Sequence, residues 1–244
     1  MRQNKYDESV FFEKYSSMDR SKKGLEGAGE WHELEKLLPD FRDKRVLDLG
    51  CGFGWHCRYA VEKGASSAVG IDISQKMLEE AIKKTSSCKV KYVCMPIEDI
   101  EFEENTFDVV ISSLALHYVE SFDRIVDRIS RCLTRKGELV FSVEHPVFTA
   151  QGPQDWYCDK SGNRLHWPVD GYFSEGVREA VFLGEKVVKY HKTLTTYINS
   201  LINSGFEITG CVEPMPEKSL MADQPEMADE LRRPMMLLVS ARKK

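Results

Sequence analysis

The chain predicts an α/β domain with a mostly parallel sheet covered by helices on both faces. Three observations carry this. From residue 45, short apolar runs alternate with amphipathic segments, as in successive strand–helix units. The strand candidates are apolar almost without interruption, which suits strands buried on both faces. At 244 residues and 42% hydrophobic content, the chain can bury one sizeable core, with room for an insertion.

The elements follow in order. The first forty residues read as helical up to "LLPD", with a joint at Gly24, Gly27 and Gly29 in the polar middle. "RVLDLG" reads as the first strand, followed by a helix over 55–63. "SAVGIDI" is the second strand. Ser74 then caps a helix with Met77, Leu78, Ala81 and Ile82 on one face. "KVKYVCM" and "TFDVVISSL" supply the next two strands. "SFDRIVDRISRCL" sets Phe122, Ile125, Val126, Ile129, Cys132 and Leu133 on one helical stripe. Gly137 is expected to punctuate before the fifth strand, "ELVFSVE". "TLTTYINSLINSG" repeats the helical signature through Leu194, Tyr197, Ile198, Leu201 and Ile202, and stops at Gly205. "FEITGCV" and "MMLLVSA" close the count at seven strands. Between residues 144 and 190 the rhythm breaks. Eight aromatic side chains there predict an ordered insertion, packed on the domain or lining a pocket.

A net charge of -5 gives no electrostatic footprint for duplex nucleic acid. No apolar run is long enough for a membrane span, and the charged N-terminus does not read as a signal peptide. Seven cysteines at irregular spacing, with no C-x-x-C pair, argue against a disulfide framework and a zinc site. The expectation is a cytoplasmic protein with reduced thiols. Glu144, His145, His166 and His191 fit no recognised ligand spacing, so no metal is expected.

The chemistry concentrates at "VLDLGCGFGWH". Ligands of an open parallel sheet bind beyond the carboxyl ends of the strands, where Gly50, Gly52 and Gly54 follow the first strand. A residue without a side chain adopts positive φ and lets another group touch the backbone. Asp72, eighteen residues past Gly54, ends the second strand, where a carboxylate accepts from both hydroxyls of a ribose. The spacing is G-x-G-x-G rather than the dinucleotide G-x-G-x-x-G, and Trp55 stands near the place of a third glycine. Asp48, two residues before the turn, would repel a pyrophosphate and attract a cation. The residues therefore favour a positively charged nucleoside.

"VLDLGCGFG", "VGIDIS" and "FDVVISSLALHYV" resemble the successive motifs of class I S-adenosylmethionine-dependent methyltransferases of the small-molecule type called type 11. The resemblance covers about residues 45–143. It implies a Rossmann-like seven-stranded sheet whose last strand is antiparallel, and S-adenosyl-L-methionine as cofactor with S-adenosyl-L-homocysteine as product. It also implies that Gly50, Cys51 and Gly52 pass beneath the methionine portion, and that Asp48 supports its amino group. Asp72 would bind the ribose, with Ile73 and Met77 near the adenine. Ser112 would present its backbone to the sulfonium side, and Leu114 and His117 would stand where cofactor and acceptor meet. Pro96 occupies the position of an adenine-binding Asp found in many relatives, which leaves that contact to Ile97 and Glu98. Residues 1–44 resemble a lid, from which Tyr15 would reach the cofactor carboxylate, with Met18 and Arg20 adjacent.

These parts imply a cofactor-binding core over 45–143, a substrate-side insertion over 144–190 and the rest of the sheet over 191–244. The expected reaction is in-line transfer of a methyl group to an oxygen or nitrogen of a small molecule, with neither nucleic acid nor membrane as partner. A proton must leave such an acceptor, and histidine is the usual base near neutral pH. His145, expected to point into the insertion, ranks first and His117 second; Trp156, Trp167, Tyr172 and Phe173 are acceptor-pocket candidates. The alternatives are a non-catalytic nucleoside-binding relative and a nicotinamide-dependent oxidoreductase.

Overall fold

The computed structural model describes residues 3–223 and 225–244. Helices α1 (Ser9–Ser17), α2 (Asp19–Lys22) and α3 (Trp31–Leu37) precede the sheet. The N-terminal segment is thus broken into short helices, and Gly24 at φ +70 lies inside the break. There follow β1 (Arg45–Leu49), α4 (Trp55–Glu62), β2 (Ser67–Asp72), α5 (Gln75–Lys84), β3 (Val90–Cys94), β4 (Phe107–Ser113), α6 (Phe122–Cys132) and β5 (Leu133–Glu144). The insertion contributes α7 (Pro146–Thr149) and two hairpins. The smaller pairs β6 (Tyr157–Cys158) with β7 (Arg164–His166), and the larger pairs β8 (Gly176–Phe182) with β9 (Glu185–His191). α8 (Leu194–Asn203), β10 (Phe206–Val212), α9 (Lys218–Asp223) and β11 (Met236–Lys243) complete the chain.

The seven-stranded sheet has the order β3-β2-β1-β4-β5-β11-β10. β1 pairs in parallel with both β2 and β4, and β11 runs antiparallel between β5 and β10. Strand order reverses between β1 and β4, so a crevice opens above their carboxyl ends. Alternation along each strand sends side chains to two cores. On one face Leu47, Leu49 and Phe141 pack with Phe122, Ile125 and Ile129 of α6 and with Tyr197 and Leu201 of α8. On the other, Val46, Val109 and Ile111 pack with Cys57 and Ala60 of α4 and Leu78 of α5, and Val140 and Leu238 meet Trp31 and Leu34 of α3. This is the α/β fold expected from the alternation of elements.

Two local expectations need correction. β5 begins at Leu133, directly after α6, and runs through Gly137, with its register against β4 shifting between Phe107 and Val109. Lys136 at φ +64 absorbs the bend that the glycine suggested as a break. Three apolar residues placed on helical stripes face solvent: Ile82 is 56% exposed, Leu194 38% and Ile202 51%. Ile82 and Ile202 lie at the edges of their stripes, and Leu194 is the first residue of α8.

This difference sets a test. Phe141→Ala, which removes a fully buried ring, should cost about 3–5 kcal/mol in urea unfolding. Ile82→Ala should stay within about 0.5 kcal/mol of the parent chain.

Candidate active site

The glycine turn after β1 takes the conformation that its sequence requires. Gly50, Gly52 and Gly54 have φ of +73°, +52° and +71°. The N–H groups of Gly50 and Cys51 both donate to Ile71 O at 2.9 Å, which anchors the turn on β2. A Cβ at Gly50 would lie 2.4 Å from Ala115 Cβ, and one at Gly54 would lie 2.0 Å from Tyr92 Oη. At Gly52 the nearest atom to a Cβ would be Met77 Cε at 3.7 Å, because that position borders the crevice. Bare backbone here leaves room for a ligand.

Asp72, at the end of β2, bridges the turn to the next helix. Its Oδ2 accepts from Gly52 N and its Oδ1 from Ser74 N, each at 2.9 Å. Burial raises its pKa above the ordinary carboxylate range, against these hydrogen bonds. Each carboxylate oxygen keeps further lone pairs for a ligand. Ser74 caps α5 as its sequence predicts, through its hydroxyl and Met77 N.

The crevice is a cavity of about 490 Å³, within the roughly 300–1,000 Å³ usual for small-molecule sites. Gly50, Gly52, Asp72, Ile73, Met77, Ile97 and Glu98 line one end. Tyr15 of α1, Arg20 of α2 and Met18 between them also line it. Arg20 lies 3.4 Å from Glu30, a buried carboxylate that also accepts from Ser113 Oγ at 3.1 Å. Leu114 and His117 line the middle, and Leu114 sits at φ +50, rare for a branched residue. Its N–H donates to Ser142 O at 2.9 Å, which holds the backbone in that conformation.

Several expected residues stand behind the wall rather than in it. Ser112 is fully buried and donates to Leu49 O at 2.8 Å, tying β4 to β1, while its neighbour Ser113 lines the cavity. Cys51 is buried, with only its main chain in the turn. Asp48 lies on the face of β1 toward α4, where Cys57 Sγ approaches its Oδ2 at 3.5 Å. Its Oδ1 has no partner among the described residues. Burial pushes the Asp48 carboxyl up to about 7.

Of the two histidine candidates, only His117 reaches the cavity. His145 does not line the cavity: it caps α7, its Nδ1 accepting from Val147 N at 3.0 Å, and its Nε2 lies 2.9 Å from the Glu213 carboxylate. A strand alternates its faces, so Glu144 rather than His145 reaches the crevice. His117 does line it, but burial pushes its pKa down to about 3, which keeps the ring neutral. Its Nδ1 accepts from Glu144 N at 3.4 Å, which assigns the ring proton to Nε2.

The aromatic pocket is corrected in the same way. Trp167 stacks on Phe148 at 5.0 Å between centroids, Trp156 packs edge-on to Trp167, and the Arg233 guanidinium lies 4.2 Å from the Trp167 ring. These rings form a small core behind the wall, and only Phe148 among them borders the cavity. Tyr172 Oη accepts from Leu194 N, and Phe173 is 91% exposed. The far wall is instead Val181, Phe182, Val187 and Val188 of the larger hairpin with Met235 and Met236.

Two features escaped the sequence reading because they depend on distant contacts. Asp7 accepts from Ser74 Oγ at 2.6 Å and from Lys76 N at 3.1 Å, fastening the N-terminal segment to the start of α5. Glu144, Lys189 and Gln154 form a closed polar cluster at the cavity wall. The only advance signal was Glu144 at a strand end.

Asp48 carries a pH prediction. Its carboxyl is raised from 3.8 to about 7 in the folded chain, so its contribution is fully present below the unfolded value and is lost as pH rises through the folded one. Asp48→Asn should therefore raise the urea midpoint of the ligand-free protein. The gain should grow between about pH 4 and pH 7 and level off above; a gain that shrinks over this range would contradict the buried acid.

The family model described as a methyltransferase domain matches residues 47–141. A solved structure of an S-adenosylmethionine-dependent methyltransferase from Mesorhizobium loti is 43% identical, with a TM-score of 0.84, over 90% of this chain and 100% of that one. Another, assigned to the same enzymes in Listeria monocytogenes, is 58% identical, with a TM-score of 0.86, over 91% and 99%. An uncharacterized protein of Haemophilus influenzae is 35% identical over 98% of this chain and 96% of its own. More distant matches include a tRNA U34 carboxymethyltransferase of Hahella chejuensis, 34% identical over 57% of this chain, and a ubiquinone biosynthesis O-methyltransferase of Neisseria meningitidis, 33% identical over 47%. This chain spans only 47% and 54% of those two proteins. With the sheet order, the glycine turn and the acid ending β2, these matches place the chain among the class I S-adenosylmethionine-dependent methyltransferases.

Proposed function

We propose that the acceptor is a small organic molecule, methylated on oxygen or nitrogen inside the cavity. The observation that carries this reading is the enclosure of the site. Residues of the N-terminal segment, the larger hairpin and the start of β11 all line a single space of about 490 Å³. That space suits the cofactor and a compact partner rather than a folded polynucleotide. The net charge of -5 agrees, since RNA binding draws on a basic surface. Free thiols at all seven cysteines suit the reducing cytoplasm.

The residues fit the cofactor. The main chain of Gly50, Cys51 and Gly52 would carry the methionine portion, and Asp72 the ribose. Ile73, Met77, Ile97 and Glu98 would enclose the adenine, and Arg20 with Tyr15 would meet the carboxylate. Asp48 would act from behind the turn by its charge. Residues 1–44 would serve as the lid, and 144–190 as the acceptor side of the core formed by 45–143 and 191–244.

When bound, S-adenosylmethionine supplies a methyl group already activated by its sulfonium. The protein's work is then alignment and exclusion of water, which can contribute several kcal/mol without an acid or base. His117, with a pKa near 3, has too little proton affinity for a base at neutral pH. It would serve as a neutral donor through Nε2–H. His145 would support α7 from outside the cavity.

Two measurements test this. Asp72→Ala should weaken binding of S-adenosylhomocysteine by about 10- to 100-fold in calorimetry, the loss of hydrogen bonds to a charged group. Incubation with methyl-labelled donor and separate metabolite and RNA fractions should place label in the small molecules. Label confined to RNA would overturn the proposed acceptor.

A further inference from the structure

The acceptor end of the cavity holds an ion pair that the cofactor does not require. Lys189 Nζ lies 2.6 Å from Glu144 Oε1 and 2.9 Å from Gln154 Oε1, and Gln154 Nε2 donates to Glu144 Oε2 at 2.8 Å. The Lys189 and Glu144 side chains are only 3% and 17% exposed, yet both line the cavity. Burial works to raise the Glu144 pKa, but the Lys189 ammonium and the hydrogen bonds from Lys189 and Gln154 hold it below the ordinary range. A buried charge pair of this kind is costly to maintain, and hydrophobic residues of similar volume often serve stability as well.

Position gives the pair a role. Glu144 ends β5 and Asp72 ends β2, separated in the sheet by β4 and β1. Three strand spacings put them ~14 Å apart, on opposite sides of the glycine turn. One acid is thus at the sugar end and the other at the acceptor end.

We propose that Glu144 and Lys189 recognise a neutral hydroxy-carbonyl compound on an apolar frame, with Glu144 accepting the hydroxyl's hydrogen bond and so orienting the attacking oxygen. This rests on the small-molecule reading above. An ammonium has three N–H donors, and these partners take two of those of Lys189. Each Glu144 oxygen keeps acceptor capacity beyond its bond to Lys189 or Gln154. The two groups therefore offer an acceptor and a donor 2.6 Å apart, and His117 Nε2–H adds a neutral donor. A hydroxyl beside a carbonyl matches that spacing, with its O–H toward Glu144 and its C=O toward Lys189. A carboxylate would face Glu144, and an ammonium would face Lys189, so both ions are disfavoured. Phe148, Phe182 and Met236 provide the apolar surroundings.

Calorimetry on protein saturated with S-adenosylhomocysteine tests this without turnover. The probes are ortho-hydroxyacetophenone, its methyl ether, benzoate and benzylamine. The hydroxy ketone should bind the parent chain about tenfold more tightly than each of the others. That preference over the ether should collapse to about onefold in Glu144→Gln, which leaves no carboxylate to accept the hydroxyl's hydrogen bond. The double variant Glu144→Met/Lys189→Met removes both charges together and should show the same collapse. Retained homocysteine-product binding shows in each case that the fold and the adenosine end are intact. The proposal is overturned if the hydroxy ketone does not bind, if either ion binds more tightly, or if the preference survives in the double variant. These failures differ from that of the small-molecule reading, which fails only when methyl label goes to RNA.

Discussion

The site depends on one carboxylate. Asp72 accepts from Gly52 N and Ser74 N, so the loop after β1 and the start of α5 share one partner. The glycine turn cannot be moved by a Cβ at Gly50 or Gly54, because Ala115 and Tyr92 already occupy those directions. Its remaining freedom is at Gly52, and there the acid holds the N–H. A buried carboxyl whose pKa is raised by desolvation would be unfavourable without such donors. The arrangement is therefore prepared before any ligand arrives, and binding has less ordering to do.

The floor of the cavity was legible because its signals are local. Three glycines, an acid at the next strand end and a capping serine lie within residues 50–74, and backbone sterics leave such a sequence few alternatives. The strands were legible for a similar reason, since two-sided burial demands continuous apolar runs. The roof and far wall were not. Asp7 reaches Ser74 across 67 residues, and Lys189 reaches Glu144 across 45. No periodicity encodes those pairings.

The errors share a cause. The reading of His145 as base rests on its pointing from a strand end into the aromatic insertion, yet alternation of faces at the end of β5 gives the cavity to Glu144. Ser112 and Ser113 divide in the same way: one holds β4 to β1, and the other opens on the cavity. The tryptophans of the insertion carried much ring surface, and a guanidinium from residue 233 absorbed it in a stacked support. Composition identified a segment that needed packing without identifying its partner.

The far wall has a consequence for how such enzymes diversify. β8 and β9 form a separate ribbon outside the seven-stranded sheet, and Val181, Phe182 and Val187 of this ribbon line the cavity. Exchanging side chains on this ribbon reshapes the chamber while the hydrogen-bond ladder of the main sheet stays whole. Selection can therefore recut one side of the chamber on a separate ribbon, and the glycine turn with its carboxylate is inherited unaltered.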